Sequence, residues 1–312
     1  MTEAERRAMR GLVATLLGNP TPFTAADLPL ELVRRHLLAP LAYKAGVAAF
    51  RNDYIVSSLQ AERRALVLAE ALDALGNAGI PVILLKGIAY AGTIYPDPAE
   101  RPMSDIDLLV RSSDMSTAEQ ALARLGYWRA GSAAQSSVTR HAITLKRRDG
   151  SIDLHRHILH AGRSRMDMGA IWREAVASPV PGARRPSPLH EYLLHAAHIG
   201  RHEGMVPLVN YTDAARLGAA LSPAAVMAQA GGWRIARTVK AVSDALVSLL
   251  CAAAGPAHRY SYPSADEIVD GTLPPRWLQL TRKLGMVDDW LGVIGFALAT
   301  VRARLAARKK RS

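Results

Sequence analysis

The sequence predicts an α+β fold, a small mixed sheet with helices, followed by an all-helical part. Two changes of hydrophobic pattern support this. Helical spacing before residue 80 gives way at Ile80–Leu85 to a short continuous apolar run, typical of a buried strand. Beyond residue 188, alanine- and leucine-rich segments keep helical spacing. We expect a helical N-terminal region at 1–79, an α+β core at 80–177, a Pro-, Gly- and Arg-rich linker at 178–188, and a helical C-terminal domain with a basic tail at 189–312.

Within the core, Lys86 and Gly87 lead from the first strand into a helix at residues 88–95. Polar residues 113–116 offer caps for the next helix, and Gly126 is expected to end it. The remaining predicted elements are a strand at 105–110, that second helix at 117–125, and an antiparallel hairpin of 138–147 and 151–155 joined by an Asp-Gly turn.

Composition restricts the class of protein. With 49% hydrophobic residues the chain is not disordered, and the net charge of +12 favours anionic partners such as nucleotides, nucleic acids or acidic membranes. Half of that excess lies in residues 302–311. The single cysteine, Cys251, excludes an internal disulfide and is expected to be buried and inert, so we expect a cytoplasmic location. We predict neither a signal peptide nor a transmembrane segment.

Two carboxylates stand out in the second strand. Because side chains alternate along a strand, Asp105 and Asp107 are predicted to share one face while Ile106 enters the core. Like charges so close repel each other, and Mg²⁺ ions would reverse that interaction. We therefore expect Asp107→Ala to cost the metal-free protein little stability, or even to raise it. The alternative is an edge strand whose acids simply face water.

Two further features lie near this pair. The strand-to-helix turn at Lys86-Gly87 offers backbone N–H groups and a positive charge to a phosphate, and glycine permits close approach. Asp153 lies between apolar neighbours on the hairpin, where an unpaired carboxylate is costly. We predict that these acids and the turn form one site.

Five segments of the core occur in a fixed order. They are Leu84-Leu85-Lys86-Gly87, Tyr95-Pro96-Asp97-Pro98, Arg101-Pro102-Met103-Ser104-Asp105-Ile106-Asp107-Leu108-Leu109-Val110, Gly126-Tyr127 and Ile152-Asp153-Leu154-His155. This order resembles the little-characterised bacterial nucleotidyltransferase family of the DNA polymerase β-like superfamily. The resemblance covers residues 80–160, and the helical segments at 194–198 and 213–217 look like the family's continuation. One departure is that Ile88 follows Gly87 where the superfamily usually has a Gly-Ser pair, so backbone donors and Lys86 replace a serine hydroxyl.

The resemblance implies a polymerase β-like core that transfers a nucleoside monophosphate from a Mg²⁺-bound nucleoside triphosphate to an acceptor, with release of pyrophosphate. Asp105 and Asp107 would coordinate two Mg²⁺ ions, for which Mn²⁺ can substitute, and Asp153 would complete the site and help to activate the attacking hydroxyl. Arg101 is a candidate phosphate clamp, or else forms a surface ion pair with Glu100 or Asp97. The expected nucleotide-binding residues are Lys86, Gly87, Arg101, Ser104 and His155.

Two other functions remain open from the sequence: a nucleotide-binding regulator with a degenerate site, and a metal-dependent hydrolase. The hydrolase would use His155, His195, His198 and Asp213. His195, His198 and His202 also share one predicted helix face, where a zinc site is conceivable. Because no cysteine partner and no H-E-x-x-H pattern accompanies them, His198 and His202 are more typical of polar packing groups or nucleotide contacts. For the acceptor, we favour a protein, a peptide or a small molecule over RNA, because no RNA-binding motif is evident and half of the excess charge is confined to the tail.

Overall fold

The structure, a computed structural model, describes the chain except for residues 131–140, 160–163, 251–261, 272, 289, 292–293 and 295–312. Cys251, the first residues of the predicted hairpin and the basic tail therefore lie outside the described residues. The described strands are β1 (Ile83–Leu85), β2 (Ile106–Leu109), β3 (Trp128–Arg129), β4 (Ala142–Arg147), β5 (Gly150–His155), β6 (Val176–Ala177) and β7 (Arg184–Arg185).

These strands form one mixed sheet in the order β3-β4-β5-β2-β1-β7-β6. β2 is antiparallel to β1 and parallel to β5, and β4 and β5 form the antiparallel hairpin that the Asp-Gly turn predicted. β1 and β2 consist mainly of buried aliphatic residues, which accounts for the apolar runs in the sequence, whereas in β5 the aliphatic Ile152 and Leu154 alternate with polar residues. A mixed sheet with helices is thus confirmed.

Thirteen helices accompany the sheet within the described residues, and every regular element after β7 is a helix. α8 packs against both α9 and α11, whereas α1 packs against α11 and α12, so both ends of the chain contribute to one hydrophobic core. The helices are α1 (Glu3–Leu16), α2 (Leu30–Arg35), α3 (Ala39–Lys44), α4 (Arg51–Asn77), α5 (Lys86–Tyr90), α6 (Met115–Arg124), α7 (Met168–Arg173), α8 (Pro188–Arg201), α9 (Val209–Gly218), α10 (Pro223–Gly232), α11 (Ala236–Leu250), α12 (Ala265–Asp270) and α13 (Arg276–Gly285).

The segment expected to be a linker contains a strand that joins the sheet. β6 and β7 form a hairpin around Gly182, which has a φ of +79°, and β7 pairs in parallel with β1. The amide of Arg184 donates a hydrogen bond to the carbonyl of Val82. The proline and glycine of this segment thus indicate a hairpin turn beside the core.

Two helices differ in detail from the sequence-based expectation. α5 is a five-residue helix, shorter than the segment 88–95. α6 begins after Asp114, whose side chain does not cap it but accepts a hydrogen bond from Ser113. As expected, Gly126 follows the end of α6 with a φ of +86°. In the described part of the chain, no helix combines the length and the apolar character that crossing a membrane requires.

Candidate active site

The register of the central strands brings two of the predicted acids together. Asp107 on β2 lies directly opposite Asp153 on β5, and Leu109 lies opposite His155. Because side chains repeat every two residues along a strand, Asp107, Asp153 and His155 project from the same face of the sheet. Alternation along β5 alone places Asp153 and His155 on one face, and the pairing of β2 with β5 adds Asp107 to it.

Asp107 is the most enclosed of the three acids, with 4% of its surface exposed. Lys86 Nζ lies 2.5 Å from Asp107 Oδ1, and His155 Nε2 lies 2.7 Å from the same oxygen. Burial raises the pKa of Asp107, but the hydrogen bond from His155 and the charge of Lys86 together lower it by a larger amount. The net shift of the pKa is therefore downward. Asp107 is therefore a carboxylate whose charge is already compensated by protein groups.

Asp105 lies just before β2 in a different environment. Its pKa is raised by burial first and then by the carboxylates of Asp107 and Asp153, and the offsetting effects of Lys86 and Ser104 are smaller. Ser104 Oγ donates a 3.1 Å hydrogen bond to Asp105 Oδ1 and is itself exposed. The three carboxylates thus form one electrostatic cluster with an excess of negative charge.

A divalent cation fits this cluster. One ligand atom each from Asp107, Asp153 and His155 lie within 4.8 Å of one another. Carboxylate oxygens suit Mg²⁺ and Mn²⁺, and an imidazole suits Mn²⁺ better than Mg²⁺. The buried Nδ1 of His155 has no hydrogen-bond partner among the described residues. The group differs from the expected set because it includes His155, whereas Asp105 lies beside it.

The turn between β1 and α5 works differently from the expectation. Lys86, and not Gly87, has the positive φ, at 53°. Gly87 instead makes room, because a Cβ there would lie 3.3 Å from the side chain of Met103. A five-residue helix has few aligned peptide dipoles, so the ammonium of Lys86 is the main positive charge of this turn.

Arg101 is the clearest correction to the expected site. Its guanidinium is buried and forms a bidentate ion pair with Asp213, with Nε and Nη2 donating to the two carboxylate oxygens at 2.6–2.9 Å. Nη1 donates to the carbonyl of Pro102. Burial lowers the pKa of Arg101 but the carboxylate of Asp213 raises it more. Arg101 is therefore neither a phosphate clamp nor a surface partner of Glu100 or Asp97.

The same buried network occupies two residues of the hydrolase hypothesis, His195 and Asp213, whose Nε2 and Oδ2 atoms lie 3.8 Å apart. Asp213 also accepts a hydrogen bond from Tyr95, and His195 contacts the hydroxyl of Tyr90 and the carbonyl of Asn210. Among the described residues, the sole group of metal-ligating side chains at suitable distances is Asp107, Asp153 and His155. His195 and Asp213 are thus structural residues that attach α8 and α9 to the core.

Sequence reasoning missed a buried carboxyl group behind Lys86. Glu191 on α8 forms an ion pair with Arg185 on β7, and its Oε1 has no hydrogen-bond partner among the described residues. Burial raises its pKa to about 7, although Arg185 opposes this. Glu191 and Lys86 line a cavity of about 10 Å³, enough for one water molecule. The sequence signal that could have revealed Glu191 is the position of this acid within an apolar helical segment.

Comparison with known proteins agrees with the motifs. Residues 25–254 match a family described as uncharacterised nucleotidyltransferase. No curated protein matches the chain.

Two solved structures of ANT(2″)-Ia nucleotidyltransferases are similar to the chain. The solution structure of this antibiotic-resistance factor is 15% identical, covers 61% of this chain and 94% of its own, and has a TM-score of 0.37. The crystal structure with adenylyl-2″-tobramycin is 16% identical, covers 58% of this chain and 97% of its own, and has a TM-score of 0.39. The family resemblance inferred from the motifs is confirmed, and the chain belongs to the uncharacterised nucleotidyltransferase family.

Proposed function

We propose that this protein transfers a nucleoside monophosphate from a nucleoside triphosphate to an acceptor and releases pyrophosphate. The observation that carries the proposal is the pairing of Asp107 with Asp153 on adjacent parallel strands, with Asp105 beside them. Three carboxylates facing one ammonium leave an excess of negative charge, which a structural cluster would avoid. A site for divalent cations explains that excess.

In this proposal, Asp105, Asp107 and Asp153 hold two Mg²⁺ ions, for which Mn²⁺ can substitute. When bound, such ions neutralise charge on the transferring phosphate and on the leaving oxygen. His155 orients Asp107 through its 2.7 Å hydrogen bond, a common role for a residue next to a metal ligand. Asp153, the less enclosed member of the pair, accepts the proton of the attacking hydroxyl.

The proposed reaction is a single displacement at the α-phosphorus of the nucleoside triphosphate. The acceptor oxygen forms a bond to the α-phosphorus, the bond between that phosphorus and the bridging oxygen breaks, and pyrophosphate leaves with the electron pair. Lys86 contacts the phosphates, which requires its ammonium to leave Asp107. Gly87 keeps the turn close to Met103, and Ser104 holds Asp105 in place.

The proposed acceptor is a protein, a peptide or a small molecule rather than RNA. Half of the excess positive charge belongs to the tail at residues 302–311, outside the described residues, and the sequence shows neither interleaved aromatic residues nor a recognised RNA-binding motif. We propose further that the helices from α8 onward, the helical part expected from the sequence, form the second wall of the nucleotide site.

Pyrophosphate release measured with Mg²⁺ or Mn²⁺, over a panel of triphosphates and acceptors, tests the reaction. Mass spectrometry of the acceptors then detects the added nucleoside monophosphate. Asp153→Asn should abolish release, whereas Asp244→Asn, a change at an exposed acid paired with Lys240, should not. Nucleotide binding without turnover under all these conditions would instead identify a regulator with a degenerate site.

A further inference from the structure

A row of three histidines runs along the C-terminal half of α8: His195 and His198 belong to the helix and His202 caps its end. The ring centroids of His195 and His198 are 6.3 Å apart, and those of His198 and His202 are 5.0 Å apart. His195 is buried, and both of its nitrogens are used, by Tyr90 and Asn210. For His198 and His202, by contrast, no hydrogen bond to the ring is found within the described part of the chain. The ring of His195 is therefore structural, whereas the rings of His198 and His202 are available to bind a ligand.

The charged groups that act on these two rings are mainly positive. Lys86, whose ammonium is 2.5 Å from Asp107, lies close enough to influence both rings. The carboxylate of Glu203, next to His202 in sequence, is held by Lys283 at 3.0 Å. The groups that face the rings are Lys86 from the β1–α5 turn, His195 and Arg201 from α8, and Lys283 from α13. Such a surface attracts an anion.

Both rings are uncharged near neutral pH when no ligand is present. Burial, followed by the charge of Lys86, lowers the pKa of His198 well below its ordinary value. Desolvation, followed by the charges of Arg201, Lys86 and Lys283, lowers the pKa of His202 to about 4. A polyphosphate would oppose these positive charges and raise both pKa values again. Protons taken from solvent would then convert each ring into a cationic N–H donor.

We propose that His198 and His202 hold the terminal phosphates of the nucleoside triphosphate, and the pyrophosphate that leaves. This inference rests on the proposed nucleotidyltransferase function and assigns one wall of its site to α8. The rings would add charge only when phosphate is present, so the empty site avoids two further cations beside Lys86. A ligand that binds with proton uptake binds more tightly at lower pH, and its affinity falls as the pH rises through the bound-state pKa values.

Inorganic tripolyphosphate with saturating Mg²⁺ is a suitable probe because it does not depend on the identity of the base. Calorimetry in two buffers of different ionisation enthalpy gives both the affinity and the number of protons taken up. We expect proton uptake by the wild type, and an affinity that falls as the pH rises above about 4, the pKa of His202 in the empty site. His198→Asn and His202→Asn should each bind about tenfold more weakly and take up fewer protons.

Two further variants separate this role from a structural one. His190→Asn is a matched control on the same helix, since His190 stacks on Trp233 at 5.0 Å and is not influenced by Lys86; it should bind like the wild type. His202→Lys supplies a permanent charge, so it should keep its affinity at the higher pH. Circular dichroism and thermal melting show whether each variant is folded.

Unchanged affinity and proton uptake in His202→Asn, together with no gain in His202→Lys, would overturn the inference. If the wild type still binds a nucleoside triphosphate in that case, the proposed function stands and only the assignment of the histidines is wrong. If the wild type binds neither tripolyphosphate nor any nucleoside triphosphate, both proposals fail.

Discussion

Two clusters of charged side chains lie close together in this protein and have opposite characters. In the acidic cluster, Asp105, Asp107 and Asp153 face the ammonium of Lys86. In the buried pair, one guanidinium, that of Arg101, matches one carboxylate, that of Asp213, and all three nitrogens of the guanidinium donate hydrogen bonds. The first cluster has excess charge and partial exposure, whereas the second is balanced and closed.

This difference distinguishes residues that serve binding or catalysis from residues that stabilise the fold. A balanced, fully hydrogen-bonded ion pair in the interior stabilises one arrangement of the chain and leaves no group available to a ligand. A carboxylate such as Asp105, whose pKa is raised by burial and by two neighbouring carboxylates, is retained at a cost in stability, which indicates a role in binding or catalysis. The comparison gives four predictions, and each variant should affect mainly stability or mainly activity.

The largest expected effect is on the buried pair. Arg101→Met leaves the carboxylate of Asp213, which has no exposed surface, without its cation. Breaking a buried ion pair from one side typically costs about 3–5 kcal/mol. We therefore expect the free energy of unfolding, measured with urea, to fall by that amount. Any activity that remains should scale with the folded fraction.

The control for this prediction removes both charges. The double variant Arg101→Met with Asp213→Asn should recover part of the lost stability, because the uncompensated carboxylate is gone. If Arg101→Met were as stable as the wild type but bound triphosphate poorly, Arg101 would be a phosphate ligand after all.

The second-largest expected effect is at Asp107, and it concerns mainly activity. Asp107→Ala should reduce pyrophosphate release by at least roughly 100-fold, because it removes both a metal ligand and the group that His155 orients. The sequence alone suggests that this variant loses little stability or even gains some. The structure changes that expectation, since Lys86 and His155 both lose a buried partner. We now expect a loss of about 1–3 kcal/mol in thermal or urea denaturation.

The third prediction concerns Lys86 as an internal competitor of the cation. Its ammonium lies 2.5 Å from Asp107, so Lys86→Met should raise the affinity for Mn²⁺ about tenfold in the absence of nucleotide. Affinity for triphosphate should fall in the same variant. Electron paramagnetic resonance of free Mn²⁺ measures the first effect. Lys44→Met, which removes a lysine near Asp97 and Glu100, is the charge-matched control and should not change Mn²⁺ affinity.

Much of the sheet was predictable because its signals are local. The apolar run at residues 80–85, the alternation around Asp107 and the Asp-Gly turn at residues 149–150 each specify a strand or a hairpin from neighbouring residues alone. β7 was missed because it is two residues long, and it is held by pairing with β1, which no local pattern reveals.

The site was predicted in part for the same reason. Asp107 and Asp153 could be singled out from spacing and from resemblance, whereas their direct opposition requires the register of β2 and β5. The partner of Arg101 is 112 residues away, so its burial could not be inferred from its neighbours. The positive φ of Lys86 was likewise hidden, because the adjacent glycine was the natural residue to expect there.

The smallest expected effect is at Asp105, and it tests the acidic cluster from the opposite direction. The pKa of Asp105 is raised by burial and by Asp107 and Asp153, so its charged form costs stability in the folded, metal-free protein. Asp105→Asn should therefore raise the free energy of unfolding by on the order of 0.5 kcal/mol near pH 7, the size of an ordinary like-charge contact. A group with a raised folded-state pKa loses this cost as the pH falls through that pKa, because both states become protonated. The advantage of the variant should accordingly shrink as the pH is lowered from 7 towards about 4.

Urea denaturation at both pH values measures this difference. The buffers contain EDTA, which removes stray divalent cations. If the variant were less stable than the wild type at neutral pH, the surroundings would stabilise the charged form of Asp105. The acidic cluster would then lack the excess negative charge that distinguishes it from the Arg101–Asp213 pair.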